Sequence, residues 1–290
     1  MSNGLSLESR TTFHSSISGC NSNSFLRLFT HPEHFKLVLN VYFVGFVLDL
    51  ENIEDNILNS MAGIIIALCI ISVWFCHLLY CLFFVSPMSN LPLTIFHCFF
   101  QGYLFTGLFI TAHDAMHGTV SKNRNVNYFI GFLACFLFAG LSYKRLVDSH
   151  QLHHKHPTDE TLDPDFHHSN NFFLWFISFM IKYTTVSQLV IMAIVFNILL
   201  LWFQQSSILV FWVIPSFIGT IQLFTFGTYL PHKKPHTLGM GPHFARSIKK
   251  NHFLAMITCY FFGYHSEHHH FPHLPWWKLY SVKNNQIKSI

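Results

Sequence analysis

Residues 264–273 read YHSEHHHFPH, five histidines in ten positions near the end of an otherwise apolar chain. The same crowding recurs upstream as HDAMH (113–117), HQLHH (150–154) and the isolated LPH (230–232). On a helix, residues i, i+3 and i+4 share one face, so each of the crowded stretches aims two or three imidazoles at one point. Where these stretches sit along the chain decides how it is built.

The rest of the chain is apolar. Of its 290 residues 51% are hydrophobic and only 10% charged, and its mean hydropathy is positive. Soluble domains carry about 25% charged residues, so this composition predicts a membrane protein. Phenylalanine contributes 34 residues and histidine 22, a lipid-embedded body bearing a histidine-rich site. Cys20, Cys69, Cys76, Cys81, Cys98, Cys135 and Cys259 show no paired spacing of a disulfide or zinc framework, and read as buried small apolar residues. The first thirty residues are rich in Ser and Asn without an apolar run, which predicts no secretory signal.

A spanning helix needs about 20 mainly apolar residues. Four stretches qualify, at 60–85, 91–112, 186–203 and 207–229. The stretches at 128–141 and 172–181 are too short to cross and read as re-entrant or interfacial, and 37–48 as lying on the membrane surface. No Lys or Arg occurs between residues 38 and 120, nor between 183 and 232. Every basic residue therefore falls on one side, the cytoplasmic one by the positive-inside rule. The expected fold is an all-α, multi-pass integral membrane protein. Its four transmembrane helices form two hairpins, with re-entrant or interfacial helices and a cytoplasmic histidine-rich cap holding two metals. Residues 1–59 would form an N-terminal cytoplasmic or interfacial segment and 60–290 the membrane domain. The net charge of +4 needs no nucleic acid to explain it.

On this topology His113, His117, His150, His153, His154, His232, His265, His268 and His269 face one compartment at similar depth. Nine imidazoles exceed the needs of one ion, since zinc takes four ligands. Two first-row ions accepting five or six ligands each would use them, and imidazole suits iron, copper and zinc. A zincin HExxH is absent. A ferritin-like carboxylate site is excluded, because Glu267–His270 is the one Glu-x-x-His and no other acid follows Asp165. A metal-transport protein is the rival from another functional class. Transporters place their ligands near the bilayer midplane, whereas the third and fourth expected spans hold no histidine and no charge. His77 and His97, alone in the first two expected spans, read as satisfied core residues.

The order HxxxH, HxxHH, HxxHH with two hairpins resembles the membrane fatty acid desaturase and hydroxylase superfamily. Within it, AHDAMHG (112–118), DSHQLHHKHPTDETLDPDFH (148–167), FGTYLPH (226–232) and NHFLAMITCYFFGYHSEHHHFPHLPWWKLY (251–280) are similar to the bacterial-type β-carotene 4-ketolases. The resemblance runs from about the first span to near the C-terminus and is dense around the histidines. It implies two non-haem irons on the nine histidines, O2 as co-substrate, a carotenoid entering from the lipid phase and a ferredoxin-type electron donor. It also implies the reaction. Two hydroxylations of the 4-position methylene of a β-ionone ring, then loss of water, give a ketone: echinenone, then canthaxanthin. A carotenoid hydroxylase or a lipid desaturase shares the histidine pattern and is the alternative within the superfamily. Stearoyl-type desaturases carry an Asn four residues before the lone late histidine, where Thr228 stands here.

Metal-bound imidazoles usually donate their second N–H to a carboxylate or carbonyl. Asp114, Asp148, Asp159, Glu160, Asp163, Asp165 and Glu267 all flank the histidines where that would help; Asp114, Asp148 and Glu267 are the candidates for the role, and for TDETLDPD (158–165) a solvated loop is the stronger reading. His270 points about a hundred degrees away from His269 and is left out of the ligand set. The basic stretches HKKPH (232–236) and RSIKK (246–250) offer a docking face for an acidic electron donor. Trp276 and Trp277 read as interfacial anchors.

Overall fold

The computed structural model describes residues 56–285, and side chains from 61 to 284. The N-terminal segment, the surface helix expected over 37–48 and Cys20 lie outside the described residues, save the first turn of α1. All regular structure among the described residues is helical: α1 Asn56–Phe84, α2 Leu91–Met116, α3 Arg124–Ala139, α4 Tyr143–Lys155, α5 Phe172–Tyr183 and α6 Val186–Leu199. A long seventh helix, α7, runs Gln205–His232, followed by α8 His252–Cys259, α9 His265–His270 and α10 Leu279–Asn285.

Among the described residues three single helices are long and apolar enough to cross a membrane, α1 over Met61–Phe84, α2 and α7, and the bent pairs α3 with α4 and α5 with α6 pass the same test together. The expected third span at 186–203 differs. Its helix ends after 14 residues, about 21 Å and short of the roughly 30 Å hydrocarbon core. It is bent by 84° from α5 across Thr184–Thr185. Thr185 caps α6 and Gln188 reaches back to it, so a capping box sets the helix start at the place where the expected span begins. The short stretch expected near 128–141 is α3, followed by α4 at 102°. Gly140 makes that corner at φ 63°, a left-handed conformation that glycine adopts without strain.

α2 is the central helix. Phe105, Leu108, Ile110 and Ala112 are fully enclosed, and the helix packs against α3 on one side and α7 on another. The α2–α7 crossing is close because Gly219 faces Gly102. A Cβ at Gly219 would lie 3.0 Å from Cβ of Phe105 and 3.1 Å from the Gly102 carbonyl oxygen. Small residues at a crossing are how membrane helices gain contact without a hydrophobic drive between them. The outward faces stay apolar: Phe83, Phe96, Phe99, Phe129, Leu189 and Ile198 are all exposed, a surface suited to lipid. Cys69 and Cys76 lie on that outer face of α1, against the expectation that all cysteines are buried, whereas Cys81, Cys98, Cys135 and Cys259 are enclosed. A small apolar thiol faces lipid at little cost.

Candidate metal centre

Four elements bring their ends together at one head of the helices. α2 delivers His113 and His117 from its last turn. α4 presents His150, His153 and His154 on one face, α9 presents His265, His268 and His269, and α7 ends on His232. All nine predicted histidines meet there in two groups. One is His113, His117, His150, His154 and His268; the other is His153, His232, His265 and His269. Within each group, one ligand nitrogen per residue lies within 4.8 Å of every other.

The local sequence explains how each helix is held. α4 starts where Ser142 caps the Arg145 amide, and the missing side chain of Gly131 makes room for the Tyr143 ring. α9 is pinned through Glu267, which accepts from Lys283 Nζ at 2.8 Å and from the Ser247 hydroxyl. Arg246 donates to the carbonyls of Lys233 and Pro235, fastening the loop after α7 across the head. A π-helical turn at Phe224–Tyr229 precedes His232, a feature common beside functional sites.

The imidazoles face one another nitrogen to nitrogen. His117 and His150 approach Nε2 to Nε2 at 2.7 Å, His154 and His268 at 3.0 Å, His265 and His269 at 3.0 Å, and His153 and His269 at 3.2 Å. Two nitrogens bound to one first-row ion at about 2.05 Å and near right angles stand about 2.9 Å apart, so the spacing fits ligation. Both ring nitrogens of His113 and Nε2 of His232 are buried with no hydrogen-bond partner. A buried polar atom left unpaired costs about 1–3 kcal/mol, a penalty that a bound cation removes at one nitrogen of each ring. Burial also keeps most of these rings neutral, as ligands must be. It pushes His117 down to about 4 and, helped by neighbouring imidazoles, His154 down to about 2. His150, His265, His268 and His269 are lowered well below the ordinary range by the same causes.

His153 is the exception. Burial would lower it, but its hydrogen bond to Asp163, with the charges of Asp163 and Asp165, holds it above the ordinary value. Its Nδ1 donates to both Asp163 oxygens at 3.0 and 3.1 Å. Asp163, in a stretch whose sequence favours a solvated loop, is buried, and its oxygens also accept from the Thr158 and Asp165 amides at 2.7 and 2.8 Å.

The carboxylates expected to orient ligands stand elsewhere. Asp148 is exposed and pairs with Lys144 at 3.0 Å, one turn back on α4. Glu267 is buried but serves Ser247 and Lys283. Asp114 lies 3.6 Å from Nδ1 of His113, beyond hydrogen-bond reach, and accepts the Trp276 amide at 3.0 Å. Trp276 is accordingly buried against Tyr260, a packing residue where an interfacial anchor was expected. His270 is exposed and bonds the Ser266 carbonyl, as its place on the helix requires. The basic stretches are partly spoken for: Lys234 pairs with Glu160 and Arg246 clamps the loop, while Lys249 and Lys250 are exposed.

A cavity of about 390 Å³ opens beneath the head. His113, His150, His153 and His265 form its inner end, and its wall continues through Phe109, Phe138, Trp212 and Leu223 to Leu189 and Phe217, which are exposed on the outer surface. Thr228 lies in this wall. Asp165, which accepts from the Tyr183 hydroxyl, also faces the cavity, as does Tyr183.

The family model for fatty acid desaturases matches residues 90–192 and 181–288. A zeaxanthin 4-ketolase from Chlamydomonas reinhardtii is 38% identical over 235 residues, which cover 76% of this chain and 53% of that protein, so the chain spans about half of its length. A β-carotene ketolase from a Paracoccus species is 36% identical over 218 residues, 74% of this chain and 89% of that protein. A β-carotene ketolase from another Paracoccus strain is 41% identical over 180 residues, 61% of this chain and 74% of that protein. No solved structure matches significantly.

Proposed function

The chain belongs to the fatty acid desaturase family, and we propose that it is a membrane oxygenase that converts the 4-position methylene of a β-ionone ring in β-carotene to a ketone. The observation that carries this reading is the meeting of nine imidazoles, four of which line an apolar cavity whose wall also includes side chains exposed on the outer surface. Two irons fit the donor set. His113, His117, His150, His154 and His268 would hold one, and His153, His232, His265 and His269 the other. Bound there, they supply the activation of O2 with electrons accepted one at a time.

The chain's own residues do the rest. The aromatic and aliphatic wall takes a hydrocarbon ring out of the lipid and excludes water from the head. Its depth directs one end of a long polyene inward, so the ring edge is what meets the histidines. Each hydroxylation consumes two protons and two electrons with one O2 and yields one water; the geminal diol formed by the second then loses another water. Tyr183 and Asp165, hydrogen-bonded to each other in the cavity wall beside His153, hold exchangeable protons at that point. α6 with the turn to residue 203 pairs with α7 as the second hairpin, and the histidine head faces the cytoplasm. Lys249 and Lys250 belong to the face that receives a ferredoxin-type donor.

Expression in a bacterium that accumulates β-carotene tests this. New keto-carotenoids are the expected product. Hydroxy-carotenoids or altered acyl chains would replace the reading by a hydroxylase or a desaturase, and an unchanged profile with metal uptake by a transport protein.

A further inference from the structure

The first two spans hold a second cluster of donor atoms, remote from the histidine head. His77 and Cys81 lie one turn apart on α1, His97 stands opposite on α2, and all three are buried with their ligand atoms within 4.8 Å of one another. From His97 to His113 is sixteen residues of one helix, about 24 Å, so this cluster lies toward the other end of the spans. Ionisable side chains inside a bilayer are costly and mark function more often than packing.

The hydrogen bonds fix which atoms are available. Gln101 donates its amide to the Trp74 carbonyl at 3.4 Å, which turns its Oε1 toward His77, and His77 donates to that oxygen from Nδ1. Nε2 of His77 therefore carries a lone pair. It faces Nδ1 of His97 at 3.0 Å and Sγ of Cys81 at 3.7 Å. A histidine that binds a metal characteristically donates its other N–H to an oxygen acceptor, and Gln101 provides one. Bonds of about 2.05 Å to nitrogen and 2.3 Å to sulfur, at angles between about 90° and 120°, give separations close to these.

Charge selects the ion. None of the four side chains is a carboxylate. If a monovalent cation enters and the Cys81 thiol proton leaves, net charge is unchanged; a divalent ion would leave one uncompensated charge in a low-dielectric span. Thiolate with imidazole is a soft donor set, which among monovalent ions favours Cu(I). We propose that His77, Cys81 and His97 form a three-coordinate Cu(I) site joining α1 to α2, with Gln101 as its positioning residue. Binding breaks the hydrogen bond that His97 Nδ1–H donates to His77 Nε2, moves that proton to Nε2 of His97, breaks the S–H bond, forms two Cu–N bonds and one Cu–S bond, and releases one proton without change of oxidation state.

The full chain, purified in detergent without oxygen, would be titrated with Cu(I) against a chromophoric Cu(I) chelator, and its copper ligands read by X-ray absorption. The histidine head also offers imidazoles to copper, so the decisive quantities are the difference from Cys81→Ser and the sulfur ligand. Wild type should bind one more Cu(I) than Cys81→Ser, with one sulfur among the ligands that the variant lacks. His113→Ala should keep the sulfur signal. Gln101→Leu, which retains every donor atom, should bind about 10–100-fold more weakly at the sulfur-containing site. Equal uptake by wild type and Cys81→Ser, or a copper spectrum without sulfur, overturns the proposal.

Discussion

His153 donates from Nδ1 to Asp163 at 3.0 Å while its Nε2 faces Nε2 of His269 at 3.2 Å, so one carboxylate fixes the tautomer of a ring in the middle of the head. Each Asp163 oxygen already accepts a backbone amide, from Thr158 or from Asp165. Asp163→Asn therefore turns an NH2 against a backbone N–H whichever way the amide lies. The expected outcome is a loss of about 10–100-fold in metal affinity, with the protein still inserted. Iron retained after a chelator challenge measures it, and retention equal to wild type would refute the orienting role.

Asp114 and Asp148 separate in the same way. Asp114→Ala leaves the buried Trp276 amide without its acceptor and should destabilise the fold by about 1–3 kcal/mol. Asp148→Ala removes an exposed pair with Lys144 and should change stability by less than about 1 kcal/mol, with product formation unchanged. Thermal unfolding in detergent ranks the two; equal losses would contradict the assignment.

The gathering of the nine histidines was legible because periodicity is local: His150, His153 and His154 must share a face of any helix that contains them. The same holds for His270, which the helix turns away. The carboxylate partner was not legible. Asp163 reaches His153 because the loop after α4 folds back across the head, and nothing in TDETLDPD distinguishes that path from a solvated one. Proximity in sequence misled for Asp148, which flanks a histidine stretch yet points away from it. The expected span at 186–203 starts where the sequence puts it, behind the Thr185–Gln188 capping box, but its regular helix closes at Leu199, because hydropathy measures composition and not where a helix ends. The cavity draws its wall from α2, α3, α4, α5, α6, α7 and α9, a convergence of segments that no single stretch announces.

Acid should loosen the metal-free head. An unfolded histidine titrates near 6.5, whereas burial holds His117 down to about 4 and His154 lower still. Between those values the unfolded chain binds more protons than the folded one, so stability is full above about 6.5 and falls as pH drops toward 4. His153 acts with the opposite sign, its raised value adding stability that is lost as pH rises, but it stands against several lowered rings. Chelator-stripped protein should show a Tm that declines below about 6.5, with a smaller opposite slope above it from His153. A Tm constant from pH 7 to 4.5 would rule the effect out.

Filling the cavity should separate substrate binding from metal binding. Thr220 lies in the cavity wall and spends its hydroxyl on the Ser216 carbonyl of its own helix, at 2.8 Å, so its replacement strands no distant partner. Thr220→Phe adds a ring to a space of about 390 Å³. Iron content should stay at the wild-type level, because none of the nine histidines touches this position through a hydrogen bond, while ketone formation in a β-carotene-producing host falls more than about tenfold, since a small misplacement of the reacting carbon already costs that much. Ile194→Phe, on the exposed outer face of α6, places the same ring outside the cavity and should leave product yield unchanged. If Thr220→Phe makes as much ketone as Ile194→Phe, the ring does not travel this way and the substrate reaches the histidines by another route.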